Sequence, residues 1–395
     1  MRHHWLLDPE IRFLNHGSFG ACPRVVLEHQ SALRTRLEVE PVRFFVHELP
    51  RLLDDARRCV ADFVGARPED LGFVRNATSG VNAVLRSLSL RPGDELLLTD
   101  HGYNACRNVA EFVAERAGAR VVVASIPFPL ASEDEVVDAV LAATTERTRV
   151  ALLDHVTSPT GLVLPIATLV RALDERGVDT LVDGAHAPGM LALDLEALGA
   201  AWYTANFHKH TCAPKGAAML WAREDKQAGL HPATISHGYN SPRPRKRWLE
   251  ELDWQGTDDP TPWLCVPQAI ASVGALVPGG WPEIRARNRA LALRARELLC
   301  EALELPPPAP ASMIGTLAAV PLWDGDDAPP SSSLYVDPLQ VTLMDEERIE
   351  VPIPPWPAPP RRLVRITAHL YNELSDYEAL AEALRRRRLR APTAS

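Results

Sequence analysis

From residue 70 to residue 222 the chain alternates short apolar, β-branched runs with longer stretches in which apolar positions recur at helical spacing. The short runs cover residues 71–75, 95–99, 120–124, 149–154, 179–183, 201–206 and 217–221. Uninterrupted apolar runs of this length suit strands buried on both faces, as in a parallel sheet. Between them, Val81, Val84, Leu85 and Leu88 fall at i, i+3, i+4 and i+7, and residues 133–143 form a second helical stretch, so two amphipathic helices are predicted. The pattern is that of an α/β core, a mostly parallel sheet covered by helices.

After Trp254 the texture changes. Two Ala/Leu/Arg-rich stretches, 260–277 and 281–304, predict long helices, and a weaker strand-helix pattern follows to residue 390. Proline clusters at 306–310, 329–330 and 352–360 cannot continue helices or central strands and are loops, the last a stiff extended one. The division expected is an N-terminal segment (1–25), a large α/β domain (26–258), a smaller α+β domain (259–390) and a disordered tail (391–395). At 395 residues the chain is too long for one compact core, which favours two domains.

Composition narrows the function classes. No run of eighteen uncharged apolar residues occurs and the first residues lack a secretory signal pattern, so a cytoplasmic protein with no membrane partner is expected. A net charge of -9 argues against nucleic acid, and the one basic run, 385–388, reads as the solvated end of a last helix. Six scattered cysteines show no metal-ligand spacing, so free buried thiols are expected and no metal.

Chemistry concentrates at strand ends. Lys209, in Phe207-His208-Lys209-His210, follows a predicted strand; taken alone it reads as a surface charge before it reads as a catalytic amine. Asp183 ends another, in Val182-Asp183-Gly184-Ala185-His186, at the sheet edge where α/β folds bind ligands, though an aspartate there can also cap its own turn. An amine suits a carbonyl and a carboxylate suits a protonated ring nitrogen. Asn76-Ala77-Thr78-Ser79 opens the Val81 helix, where backbone N–H groups and a hydroxyl make an anion site or an ordinary Thr78 or Ser79 cap. Neither a Walker lysine nor a G-x-G-x-x-G glycine set is present, which weakens nucleotide readings.

Taken together, Asn76-Ala77-Thr78, the segment 100–105 (Asp-His-Gly-Tyr-Asn-Ala), Asp183 to His186, His208-Lys209 and Val364-Arg365-Ile366-Thr367 resemble the class V aminotransferase-fold enzymes that use pyridoxal 5'-phosphate. Within that class the likeness is to isopenicillin N epimerase and its relatives, extended by residues 14–20, 155–161 and 254–260. The resemblance implies fold-type I. It also implies a Schiff base on Lys209, Asp183 on the ring nitrogen, and His186 on the ring hydroxyl. Ala77, Thr78, Ser158, Asn206 and His208 are implied as further cofactor contacts. Thr257 is implied to reach the phosphate of the partner in a homodimer. Tyr103 or His101 is expected to stack on the ring and to serve in catalysis, with Tyr103 preferred. Asn15, His16 and Arg365 are expected to bind the amino-acid substrate, Arg365 through a bidentate fork on its α-carboxylate.

No cysteine follows Cys300, so the persulfide-forming nucleophile of a cysteine desulfurase is missing. Epimerisation at Cα, C–S β-elimination from a cysteine conjugate or sulfoxide, and transamination remain, the first narrowly preferred.

Overall fold

In the computed structural model residues 1–325 and 336–389 are described; the proline pair 329–330 and the tail 391–395 lie outside them. All seven apolar runs form strands: β1 (Leu71–Val74), β2 (Glu95–Thr99), β3 (Arg120–Ala124), β4 (Thr148–Asp154), β5 (Asp179–Asp183), β6 (Trp202–Asn206) and β7 (Ala218–Ala222). They build one sheet in the order β1-β7-β6-β5-β4-β2-β3. Only β7 runs against the others.

Neighbouring residues of each strand enter different cores, as the pleat requires. Leu97, Leu153 and Val182 join one apolar cluster with the helices Arg24–Val39, Leu49–Val64 and Ile166–Asp174. Leu96, Leu152 and Leu181 join a second cluster with the helices Ala77–Ser87, Asn104–Ala117 and Arg247–Asp253. This two-sided cover explains why the strands read as continuous apolar runs rather than as alternating ones.

The predicted 260–277 helix is two helices, Thr261–Leu264 and Val266–Gly274. Pro267 sits in the first turn of the second, where its missing N–H costs nothing, but it could not have continued the first. Both pack on Arg24–Val39 and Leu49–Val64. Further on, β8 (Leu317–Pro321) and β9 (Leu363–Thr367) pair antiparallel, and the helices Gly280–Leu303 and Leu374–Arg388 pack together. The second of these strands ends at Thr367. There the Ala368 N–H turns to the Thr316 carbonyl (2.8 Å) and Asn372 caps the His369 N–H (3.0 Å).

The N-terminal segment folds with the C-terminal half. Arg12–Phe13 pairs parallel with Ile349–Glu350, and the Thr367 N–H donates to the Leu14 carbonyl at 2.9 Å. The basic run 385–388 is not merely solvated. Arg386 and Arg387 reach Glu347 at 2.9 and 3.0 Å, and Arg388 reaches Glu304 at 3.3 Å. Among the described residues no helix is long and apolar enough to cross a membrane.

Candidate active site

Asp183 is the last residue of β5, buried, and its neighbour in register on β4 is Asp154, also strand-terminal and buried. Asp183 accepts hydrogen bonds from the Ala185 N–H (2.9 Å) and the Cys106 thiol (3.2 Å). Burial pushes its carboxyl above the usual range, and burial with the nearby Asp183 charge pushes Asp154 well above it.

Lys209 lies three residues beyond the end of β6, in the loop before β7. Its Nζ is 3.0 Å from His186 Nε2. Burial and the nearby Arg365 charge hold the amine at about 8, against partial compensation from Asp183 and Asp154. Burial, followed by the charge of Lys209, keeps His186 well below the ordinary histidine range, so its ring is neutral; its Nδ1 is buried without a partner among the described residues. The N-terminal segment crosses this loop at Gly20, whose φ is +71° and where a Cβ would lie 2.0 Å from the His208 carbonyl oxygen. Lys215, the other lysine of the loop, is spent on the Gly20 carbonyl at 3.0 Å.

Asn206 ties the lysine loop to the anion end. Its Oδ1 accepts the Ala77 N–H at 2.8 Å, at the start of the helix Ala77–Ser87. The helix is capped by Asn76, which accepts the Ser79 N–H at 2.9 Å, rather than by Thr78 or Ser79. Thr78 lines a cavity of about 570 Å³ together with Arg75, Ser79, Gly256 and Thr257 of the same chain. His208 bonds the Ala217 carbonyl at 3.2 Å and is held at about 4 by burial, hence neutral.

Arg365, on β9, is buried. One of its amines donates to the Ser158 carbonyl (2.6 Å) and hydroxyl (3.3 Å), the other to the Ser18 hydroxyl (3.0 Å), and Nε has no partner among the described residues. Ser158, expected at the cofactor, is thus placed on Arg365. Asn15 and His16, expected at the substrate, are placed as supports. Asn15 holds Ser18 and Glu350. His16 is fully buried, with Nδ1 on the Tyr371 hydroxyl (2.7 Å) and Nε2 on the Lys209 carbonyl (2.9 Å). The same contrast separates the two stacking candidates. His101 is buried with its nitrogens on Thr160 (2.7 Å) and the Ile126 carbonyl (3.1 Å), its ring 4.6 Å from Trp356. Tyr103 is 47% exposed and feels the charges of Asp183 and Arg365.

A match to the family model described as aminotransferase class-V spans residues 21–297. The chain belongs to that family. Isopenicillin N epimerase of Amycolatopsis lactamdurans is 40% identical over 394 residues, covering 96% of each chain, and that of Streptomyces clavuligerus is 36% identical over 392 residues, covering 96% of this chain and 95% of its own. A probable chloroplastic L-cysteine desulfhydrase of Arabidopsis thaliana is 32% identical over 405 residues, covering 95% of this chain and 83% of its own. Among solved structures, a cystine C-S lyase in complex with cysteine persulfide superposes with a TM-score of 0.78 at 22% identity, covering 95% of this chain and 98% of its own. A cysteine desulfurase of Escherichia coli gives 0.77 at 21%, covering 98% and 97%. At such identities these two speak for the fold alone.

As a class V enzyme the protein uses pyridoxal 5'-phosphate, and its residues fit that group. Asp183 is a buried carboxylate with no ion-pair partner among the described residues, which suits a protonated ring nitrogen. The His186 Nδ1 and Arg365 Nε, unpartnered among the described residues, and the helix N-terminus at Thr78 supply the remaining polar complement. Two members of this class V site escaped the sequence, Asp154 and Cys106. The signal for Asp154 was there: Leu152-Leu153-Asp154 repeats the pattern of Leu181-Val182-Asp183, two adjacent strands each ending in aspartate.

A third grouping was also illegible, the buried His16, Cys212 and His369, whose ligand atoms lie within 4.8 Å of one another. Their geometry disfavours an ion. Both His16 nitrogens are engaged, and the His16 and His369 rings stack at 4.1 Å, so their lone pairs do not converge.

Proposed function

We propose that this enzyme labilises the Cα proton of an amino-acid substrate and epimerises that centre, as the name of its 40%- and 36%-identical relatives suggests. The observation that carries the reading is the Lys209 amine, held at about 8 by burial and Arg365 and placed 3.0 Å from a neutral His186. A base poised near neutrality can take and return a proton at working pH. The cofactor, when bound, supplies the electron sink for the developing carbanion. Arg365 offers its unused donor and fork edge to the substrate carboxylate, fixed by Ser158 and Ser18. Tyr103, exposed beside Asp183 and Arg365, is the second acid that reprotonation from the other face requires. Burial raises its phenol above the ordinary value, so it stays protonated and can donate. Phosphate contacts fall to Thr78, Asn206 and His208.

A homodimer in which Thr257 completes the partner's phosphate site is part of this reading. It is supported by Val39, Val42 and Val46, close in sequence and 80%, 70% and 56% exposed. Sedimentation should then give twice the 43.4 kDa chain.

The test incubates candidate amino acids in deuterated water and follows Cα label, chirality and keto-acid release together. Deuterium gain with loss of chirality is expected. Pyruvate and ammonia without racemisation would establish the second reading, C–S β-elimination, which is favoured by the desulfhydrase at 32% identity. Borohydride reduction should fix the phosphopyridoxyl group on Lys209, and label on Lys215 instead would overturn the assignment.

A further inference from the structure

We propose that Asp154 is a positioning residue for the cofactor: it and Asp183 hold one proton between them, so that a single negative charge faces the ring nitrogen. This rests on the reading of Asp183 as the partner of that nitrogen.

The placement comes from the sheet. β4 and β5 are parallel, Asp154 stands opposite Asp183, and paired residues of neighbouring strands send their side chains to the same face. Both are strand-terminal, so both carboxyls leave the sheet at the edge that carries Lys209. Their exposures are 5% and 4%. Water is therefore not available to screen them, and among the described residues neither has an ion-pair partner.

The groups packed around the pair leave the charge unbalanced. Asp183 receives the Cys106 thiol and the Ala185 N–H, while the Tyr103 backbone N–H points at Asp154. Cys106, Tyr103 and Tyr203 all have their pKa raised, by burial first, and stay neutral. Lys209 is a cation that both carboxyls feel, and once the cofactor carbonyl has consumed its amine that charge changes place. A protonated ring nitrogen then offers one positive charge against two adjacent buried carboxyls. Like charges in such a site do not both ionise, so one carboxyl keeps a proton. Asp183 holds its two donors at 2.9 and 3.2 Å, while Asp154 meets the backbone N–H groups of Tyr103 and of itself under the added charge of Asp183, so Asp183 is the better anion. Asp154 is the better acid, because burial and the Asp183 charge both favour its neutral form. A neutral Asp154 leaves Asp183 as the sole anion at the ring and removes the repulsion that would turn it away.

The test uses the full-length, cofactor-loaded protein labelled with carbon-13 at aspartate carboxyls. At pH 7 one carboxyl should remain protonated while the exposed aspartates have ionised, and its signal should be lost in Asp154→Asn. The proposal is overturned when every carboxyl titrates in the ordinary range, or when the protonated signal survives that substitution. The wild-type spectrum decides the first point even where the variant folds poorly. A positioning role adds a second readout. The pH profile of the bound cofactor's absorbance should shift in Asp154→Ala and return toward wild type in Asp154→Asn, the neutral isostere; identical profiles in all three proteins would sink the role. Failure of borohydride to fix the cofactor on Lys209 is a separate result, and it would overturn the cofactor reading itself together with the role built on it.

Discussion

Burial beside Arg365 lowers the Lys209 amine from 10.5 to about 8, and this sets the sign of its pH dependence. In the unfolded chain the amine keeps its proton up to 10.5, so between 8 and 10.5 the unfolded state binds more protons and the cofactor-free protein gains stability as pH rises. Below 8 both states are protonated and the burial penalty is felt in full. Lys209→Met should therefore raise the melting temperature of the cofactor-free protein at pH 7, with a gain that fades toward pH 10; calorimetry at both values checks this, and a pH-independent gain would point to packing instead. Arg365 gives a kinetic prediction. A lysine cannot keep the Ser158 and Ser18 bonds and also present a fork, so Arg365→Lys should lower kcat/KM by about 10–100-fold, the worth of one to two charge-assisted hydrogen bonds. Steady-state kinetics on the amino-acid substrate decide it.

Between the elements, two contacts hold the lysine loop and the loop at Thr257 in place. Gly20 passes over the His208 carbonyl with a positive φ that a side chain rarely tolerates. Gly20→Ala should cost about 2 kcal/mol or more in urea unfolding and weaken cofactor retention, because the displaced neighbour is the lysine's own backbone. Arg57 links the helix Leu49–Val64 to the Leu71 carbonyl (2.6 Å) and to both oxygens of Asp253 (2.7 Å), the residue that ends the helix before Trp254. Removing one partner of such a pair costs about 3–5 kcal/mol, so Arg57→Met should unfold at much lower urea concentration. The strands were legible because burial on both faces writes itself as an apolar run. Lys209 and Asp183 were legible because each ends or follows such a run. The roles of Asn15 and His16 were not, since the partners of His16, Tyr371 and Lys209, stand 355 and 193 residues away, and spacing along the chain carries no sign of them. The contact of Ser158 with Arg365 was illegible for the same reason, spanning 207 residues.

At the scale of the molecule, the first residues and the last strands close on each other over the site. Asn15 reaches Glu350 across 335 residues, and Asn372 reaches the Phe13 carbonyl across 359. Contacts of that sequence separation cannot form during most of synthesis, because their second half does not yet exist. The pairing of the opening segment with Glu350 and Asn372 must wait while the seven-stranded sheet assembles, and His16 Nδ1 stays without its partner until Tyr371 has emerged. Cofactor capture is therefore a late event in the life of the chain. A version stopped before residue 349 should keep its α/β sheet by circular dichroism, yet lose the cofactor on gel filtration.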